Sequence, residues 1–289
     1  MACGGNCSSC GEKGSCENND KKLNEVLEKI KHKIMILSGK GGVGKSSVAA
    51  TLAFLLAKAG KKVGLLDLDF HGPSQPTLFG VQHLRMEADD TGLLPMNVNG
   101  VKLVSIGLVL DDPDQAVIWR GPAKIGVLKQ LLEDVSWGDL DYLILDFPPG
   151  CGDEVLSAAQ MVTGNRSAIV VTTPQEMSMA DCRKCLDFCR KLNLGVAGIV
   201  ENMAGFTCPD CGHTHQLFSK GGGAQLAQAY GVPLLAQLPL NPRFMDRCDA
   251  GDLDAALQNA PDIRGAMENV TRSIVLFFKY LFKQIAFSV

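Results

Sequence analysis

The sequence predicts an α/β fold: a doubly wound, mainly parallel sheet with helices on both faces, built as a single domain. Three observations carry the prediction. Short apolar runs alternate along the chain with longer helical stretches, the pattern of strands buried on both faces. A glycine-rich turn separates the first such run from the first long helical stretch. And 289 residues at 46% hydrophobic content are enough to bury one large core.

Taken in order, residues 1–20 are rich in Gly, Ser, Asn and Cys and cannot fold on apolar burial alone, so this tail is either disordered or organised by metal. Residues 21–260 form the expected main domain. It opens with a short helix over 21–33, with Leu23, Val26, Leu27 and Ile30 on one face. Residues 34–38 read as the first strand. Residues 46–59 read as a helix rich in Ala and Leu, stopped at Gly60. Strands are then expected over 63–67, 101–105, 142–146, 168–172 and 196–200. The most apolar stretch, 274–289, is interrupted by Lys279 and Lys283 and is shorter than the roughly 20 residues a span needs, so no transmembrane segment is expected. It is read as part of a docked C-terminal helix over 261–289. In such sheets ligands bind beyond the carboxyl ends of the strands, and each motif below lies at such an end.

Charge and cysteine usage narrow the classes. The net charge of −3 and pI near 6.0 give no basic excess, so nucleic acid is not an expected partner. The first 30 residues hold no apolar segment of a secretion signal, and a cytoplasmic location is expected. The chain has 11 cysteines, and because a reducing compartment disfavours structural disulfides, those that cluster are read as metal ligands or redox groups. Cys3, Cys7, Cys10 and Cys16 crowd the tail, and Cys208 and Cys211 form a Cys-x-x-Cys.

Gly39-Lys40-Gly41-Gly42-Val43-Gly44-Lys45-Ser46, followed by Ser47, matches G-x-x-x-x-G-K-[ST] between a strand and a helix. Its glycines let backbone N–H groups wrap phosphates, and the helix N-terminus adds positive potential. Lys45 is expected on the β- and γ-phosphates of ATP and Ser46 on Mg²⁺. Leu65-Leu66-Asp67-Leu68-Asp69 places two carboxylates on one side of an extended chain at a strand end; the alternative is a capped turn before His71. In Leu143-Ile144-Leu145-Asp146, apolar residues bury a strand and leave Asp146 at its end, beside the expected Mg²⁺ site. Pro148-Pro149-Gly150 then makes a stiff loop suited to sensing loss of a γ-phosphate. No glutamate directly follows Asp146, which suits slow hydrolysis used as a switch.

The paired lysines Lys40 and Lys45 resemble the deviant Walker A loop of partition ATPases, the division-site ATPase and nitrogenase iron protein. That resemblance implies a dimer enclosing two ATP molecules, with Lys40 reaching the partner's nucleotide, Asp67 in the outer shell of the metal and Asp69 positioning water. It also implies Asn202 at the adenine edge and a segment around Pro239 closing over the base. From spacing alone Asn202 is only a polar residue at a strand end. Taken with Asp67 to Ser74, Trp119-Arg120-Gly121-Pro122 and Glu201 to Gly212, the chain from about Lys33 to Arg243 resembles the Mrp/NBP family of cytosolic iron–sulfur cluster assembly P-loop ATPases. Cys7-x-x-Cys10-x5-Cys16 is similar to the eukaryotic branch with an amino-terminal cluster, although Cys3 and Cys7 stand closer than is usual there. Cys151 stands where that family generally has threonine.

The resemblance implies a scaffold that assembles [4Fe–4S] clusters with ATP and transfers them to apo iron–sulfur proteins and targeting factors. One cluster per chain is expected on Cys3, Cys7, Cys10 and Cys16. A second is expected to bridge a dimer through Cys208 and Cys211, because two cysteines cannot close a cluster that needs about four. The dimer would be homomeric or formed with a shorter paralogous ATPase. Zinc on Cys208, Cys211 and His213 or His215 is the competing reading. It would suit a spatial-organisation ATPase, and a cluster-based reductase is a further alternative. Cys182, Cys185 and Cys189 share a helical face and read as a small-residue packing surface.

Overall fold

The computed structural model describes residues 13–90, 92–110, 119, 121–208, 211, 213–218 and 221–286. Its strands are β1 (Ile30–Ser38), β2 (Val63–Asp67), β3 (Ala88–Asp89), β4 (Gly92–Leu93), β5 (Met96–Val98), β6 (Val101–Ser105), β7 (Leu140–Asp146), β8 (Arg166–Thr172), β9 (Gly195–Glu201), β10 (Phe206–Thr207), β11 (Thr214–His215) and β12 (Leu234–Gln237). Among the described residues the main sheet has eight strands in the order β12-β9-β8-β1-β7-β2-β6-β5. Every pairing in it is parallel except that of the edge strand β5 with β6.

Alternation along the strands assigns the two faces. Ile34 and Ile36 of β1 pack on one side, against α2 (Lys45–Lys58), α9 (Leu253–Asn259) and α10 (Pro261–Ala286). Met35 and Leu37 point the other way, toward α1 (Lys13–Glu28), α4 (Gly121–Glu133) and α5 (Asp153–Met161). On that second side α6 (Glu176–Lys191) and α7 (Gly222–Tyr230) cover β8 and β9, with Cys182, Cys185 and Leu186 against Val170 and Ile199. The short helices α3 (Gln75–Leu78) and α8 (Pro242–Asp249) close the carboxyl end of the sheet.

The first boundary differs from expectation. The helix ends at Glu28, and β1 begins at Ile30 rather than residue 34. Ile30 registers with Leu140 of β7, His32 with Tyr142 and Lys33 with Leu143, so the parallel ladder with β7 already runs through these residues. Tertiary pairing there outweighs the helical spacing of Leu23, Leu27 and Ile30. The strand β12 and the antiparallel edge strand β5 carried too little pattern to be read.

The described part of the apolar C-terminal stretch joins the core through Ile274 and Phe278. Ile263, Met267, Val270, Ile274 and Phe278 form one buried stripe of α10 against α2, β1 and β12. Phe278 stacks on His32 at 4.3 Å between ring centroids and meets Tyr142 edge-on at 6.1 Å. Burial lowers the His32 pKa to about 4. Among the described residues no helix is long and apolar enough to cross a membrane.

Candidate nucleotide and cluster site

The phosphate loop joins β1 to α2. Gly42 and Gly44 have φ of +74° and +82°, which side chains resist, so the loop needs glycine there. Gly39 is required by contact instead: a Cβ would lie 2.5 Å from that of Asp181 on α6. The loop, with Ser38, Lys45, Ser46, Ser47, Asp69, Gly72 and Pro149, lines an open cavity of about 350 Å³. Ser38 Oγ donates to the Lys40 carbonyl at 3.1 Å and fixes the first turn. Lys40 Nζ donates to Gln175 Oε1 of its own chain at 2.8 Å, from a half-exposed position.

At the floor of this cavity the acidic residues meet Lys45. Asp67 and Asp146 sit opposite each other at the ends of β2 and β7, both fully buried. Lys45 Nζ forms an ion pair with Asp146 Oδ1, and Gln75 Nε2 donates to Asp146 Oδ2 at 2.7 Å. Gln75 Nε2 also reaches the Ser46 carbonyl at 3.1 Å, while its Oε1 is buried without a partner. Asp67 accepts the N–H groups of Asp69 and Gln75 and the hydroxyl of Ser105 at 3.1–3.3 Å. Burial, and then the neighbouring Asp146 charge, nonetheless hold the Asp67 carboxyl high, at about 8. Two buried carboxylates with one ammonium between them and an orphaned amide oxygen form an oxygen-rich site short of positive charge, the donor set a hard divalent cation such as Mg²⁺ takes.

Asp69 stands higher, half-buried at the cavity wall, and its Oδ1 accepts the N–H groups of His71 and Gly72 at 3.3 and 3.2 Å. His71 in turn is held by the buried Lys124, whose Nζ lies 2.6 Å from His71 Nε2 and 2.6 Å from Glu154 Oε1 on α5. The loop carrying Asp69 and the segment after Asp146 are thus joined through one lysine. Gly150 N–H donates to the Ser38 carbonyl at 2.8 Å, which seats Pro149 beside the phosphate loop.

A second cavity of about 290 Å³ continues from the first across Gly42, Gly44 and Ser47. Its walls are mostly apolar: Met203, Leu238, Pro239, Phe244, Ile263 and Met267. That shape and lining suit a purine base. Asn202 stands at its mouth, with Nδ2 donating to the Val43 carbonyl at 2.9 Å, so it braces the phosphate loop. Sequence reasoning placed Asn202 and Pro239 here. It missed Gln75, Ser105, Lys124 and Gln175, and it missed the helical residues Phe244, Ile263 and Met267, which come from segments without a motif. Only Gln75 had a signal, since it directly follows the Asp67–Ser74 segment.

The cysteine pair hangs from the same strand end. β10 and β11 make a two-stranded ribbon, and the Cys208 N–H donates to the His213 carbonyl at 2.9 Å across it. Cys208 is half-buried and Cys211 exposed. The ribbon is tied to the base cavity: Ala204 N–H donates to the Leu238 carbonyl at 2.9 Å and Leu240 N–H to the Gly205 carbonyl at 2.7 Å. His213 and His215 rings lie 4.7 Å apart, but among the described residues no three His, Cys, Asp or Glu side chains gather into a metal site. Two thiols at an exposed tip therefore fit a cluster only as half of its ligand set. Cys3, Cys7, Cys10 and Arg120 lie outside the described residues, as does the side chain of Cys16. Cys182, Cys185 and Cys189 are fully buried in the core, as the packing reading expected.

Residues 29–275 match the ParA-group description of the NUBPL iron-transfer P-loop NTPases. An iron–sulfur cluster carrier protein of Methanocaldococcus jannaschii is 44% identical over 257 residues, covering 86% of this chain and 89% of its own. The human cytosolic Fe–S cluster assembly factor NUBP2 is 47% identical over 230 residues, covering 78% and 85%. Among solved structures, a nucleotide-binding protein of Archaeoglobus fulgidus, complexed with ADP and containing cobalt, superposes with a TM-score of 0.73 at 40% identity, covering 81% of this chain and 92% of its own. The cell division ATPase MinD of Pyrococcus furiosus, at 22% identity and a TM-score of 0.59 over 85% of this chain and 99% of its own, shares the fold.

Proposed function

The chain belongs to the family of NUBPL iron-transfer P-loop NTPases, and on that premise we propose that it is an ATP-dependent scaffold that assembles [4Fe–4S] clusters and passes them to apoproteins. The observation that carries this reading is the direct connection between the two sites. Five residues separate Asn202, which braces the phosphate loop, from Cys208. The backbone between them is hydrogen-bonded to Leu238 and Leu240, which belong to the wall of the base cavity. A change in how the base and phosphates are held is transmitted to the cysteine ribbon without crossing the core.

In this reading the loop N–H groups, Lys45 and Ser46 hold the phosphates of ATP, and the ADP of the Archaeoglobus relative supports a nucleotide there. Asp146 and Ser46, with Asp67 in the outer shell, would hold Mg²⁺, which would supply charge neutralisation at the γ-phosphate. Lys45 leaves Asp146 for the phosphates, and Asp69, held by the His71–Gly72 turn, orients the attacking water. After hydrolysis the Pro148–Gly150 loop relaxes. The cluster is the cargo, shared by Cys208 and Cys211 of two chains, so separating the chains removes half its ligands. Lys40 exchanges Gln175 for the partner's nucleotide when the dimer closes. The partner is a second copy or a shorter paralogue, and the tail cysteines Cys3, Cys7, Cys10 and Cys16 hold a cluster of their own. The names of the relatives support a cytosolic setting and apo iron–sulfur proteins as recipients.

Iron, acid-labile sulfide and zinc measured on anaerobically purified full-length protein and on Cys208→Ala/Cys211→Ala test this. Iron and sulfide in near-equal amounts, lower by one cluster per dimer in the variant, are expected. Zinc without sulfide would overturn the scaffold and leave a spatial-organisation ATPase. Coupling to ATP is tested separately: substitution of Lys45 abolishes loading in the cell and leaves chemical reconstitution intact, and normal loading would refute it.

A further inference from the structure

Two of the cysteines in the core form a pair of their own. Cys151 follows the Pro148-Pro149-Gly150 loop, Cys185 lies on α6, and their sulfurs are 3.0 Å apart. We propose that Cys151 and Cys185 are a redox-active thiol pair that a hydroperoxide closes to a disulfide, tying the loop after Asp146 to α6.

The two thiols are unequal in the way such chemistry requires. Cys151 is half-buried and open to a small oxidant, whereas Cys185 is fully buried. The hydrogen bond from Cys185 lowers the Cys151 pKa, burial opposes it, and the Lys184 charge assists. The same hydrogen bond, and then burial, raise that of Cys185. The exposed sulfur is therefore the nucleophile and the shielded one the resolving thiol. The Cys151 thiolate attacks one peroxide oxygen and the O–O bond breaks. The departing oxygen takes a proton and leaves as an alcohol, or as water when the oxidant is hydrogen peroxide, and Cys151 becomes a sulfenic acid. The Cys185 sulfur then attacks the Cys151 sulfur, the S–O bond breaks, and water leaves with the Cys185 proton. Two thiols lose two electrons and two protons, and the hydroperoxide is reduced.

The consequence lies at the phosphates. The loop is seated by Phe147 N–H on the Ile36 carbonyl at 3.3 Å and Gly150 N–H on the Ser38 carbonyl, and its Pro149 walls the phosphate cavity. α6 already presses on the start of the phosphate loop at Gly39, and Gln175, immediately before it, holds Lys40. A covalent bond between loop and helix fixes Pro149 against the phosphate loop, so the relaxation after hydrolysis is blocked while the cavity stays open to nucleotide. This effect on turnover rests on the ATPase reading above; the bond itself does not.

The test treats the full-length protein with tert-butyl hydroperoxide under argon and maps peptides without reduction, beside Cys151→Thr. A Cys151–Cys185 linked peptide is expected in the wild type. ATP hydrolysis should fall about fivefold or more, as when a loop step limits turnover, and recover with dithiothreitol; Cys151→Thr should keep its rate. Absence of the linked peptide, or Cys185 joined instead to Cys182 or Cys189, overturns the pair. A linked protein that hydrolyses at the reduced rate overturns the locking role. A reduced protein that never hydrolyses ATP sinks the ATPase reading and leaves the peptide map to decide on the pair.

Discussion

Replacing Lys45 by alanine is expected to damage the fold as well as the chemistry. Lys45 is buried, and its ammonium is paired with the fully buried Asp146. Without it, Asp146 keeps a single neutral donor, Gln75 Nε2, and faces Asp67 across the β2–β7 pair. Removing one partner of a buried ion pair costs about 3–5 kcal/mol, and access of water from the adjoining cavity reduces this to about 2–4 kcal/mol. At about 2.1 cal/mol/K per residue, the transition entropy of a chain this size is roughly 0.6 kcal/mol/K, so Tm should fall by about 3–7 °C. Urea unfolding with EDTA and no nucleotide, at pH 7.5, measures it. The cycle with Asp146→Asn should be non-additive by about 1–3 kcal/mol, because the double variant no longer buries an unpaired charge. A Lys45→Ala protein as stable as the wild type, or an additive cycle, would refute the argument. Loss of cluster loading in this variant must accordingly be scored per folded molecule, and Lys45→Arg, which keeps the charge, is the companion control.

Further outcomes follow from the same geometry. Phe278→Ala should cost about 3–5 kcal/mol, since a fully buried ring stacked on His32 is lost; a thermal shift under 2 °C would show that α10 is only loosely docked. Asp67, with its pKa raised to about 8, contributes stability that is complete below about pH 4 and lost as pH rises to about 8, at up to about 1.4 kcal/mol per pH unit. His32, lowered to about 4, acts with the opposite sign between about pH 4 and 6.5, so the decline should appear between pH 6.5 and 8 in metal-free urea titrations, and a flat profile there would count against a raised Asp67. Asn202→Ala removes the bond to the Val43 carbonyl, worth about 1 kcal/mol, and should weaken ADP binding about fivefold by calorimetry. Unchanged affinity would mean that the brace does not preorganise the loop.

Much of this site was legible in the sequence because backbone geometry dictates it. Gly42 and Gly44 must be glycine at positive φ, and Asp67 and Asp146 each end a run of apolar strand. What stayed hidden depends on tertiary proximity. Gln75 acts on Asp146 from 71 residues away, Lys124 on His71 from 53, and Ile263 and Met267 reach the base cavity from a helix whose apolar stripe reads only as core. The start of β1 was misread because Ile30 fits the spacing of both a helix face and a strand, and only its neighbour Leu140 decides between them.

The long last helix has one more consequence. Ile263 and Met267, near the start of α10, wall the base cavity at the carboxyl end of the sheet, and Phe278 rests on His32 at the opposite end of β1. At 1.5 Å per residue these two contacts are about 17–22 Å apart on a single unbroken rod. A packed helix transmits an axial shift with little loss, so whatever a bound base does to Met267 is felt in the aromatic stack as well. The imidazole of His32 is therefore a built-in remote gauge. Its ring resonances should move when a purine enters, far from any atom that touches the nucleotide and close to where α1 joins the sheet.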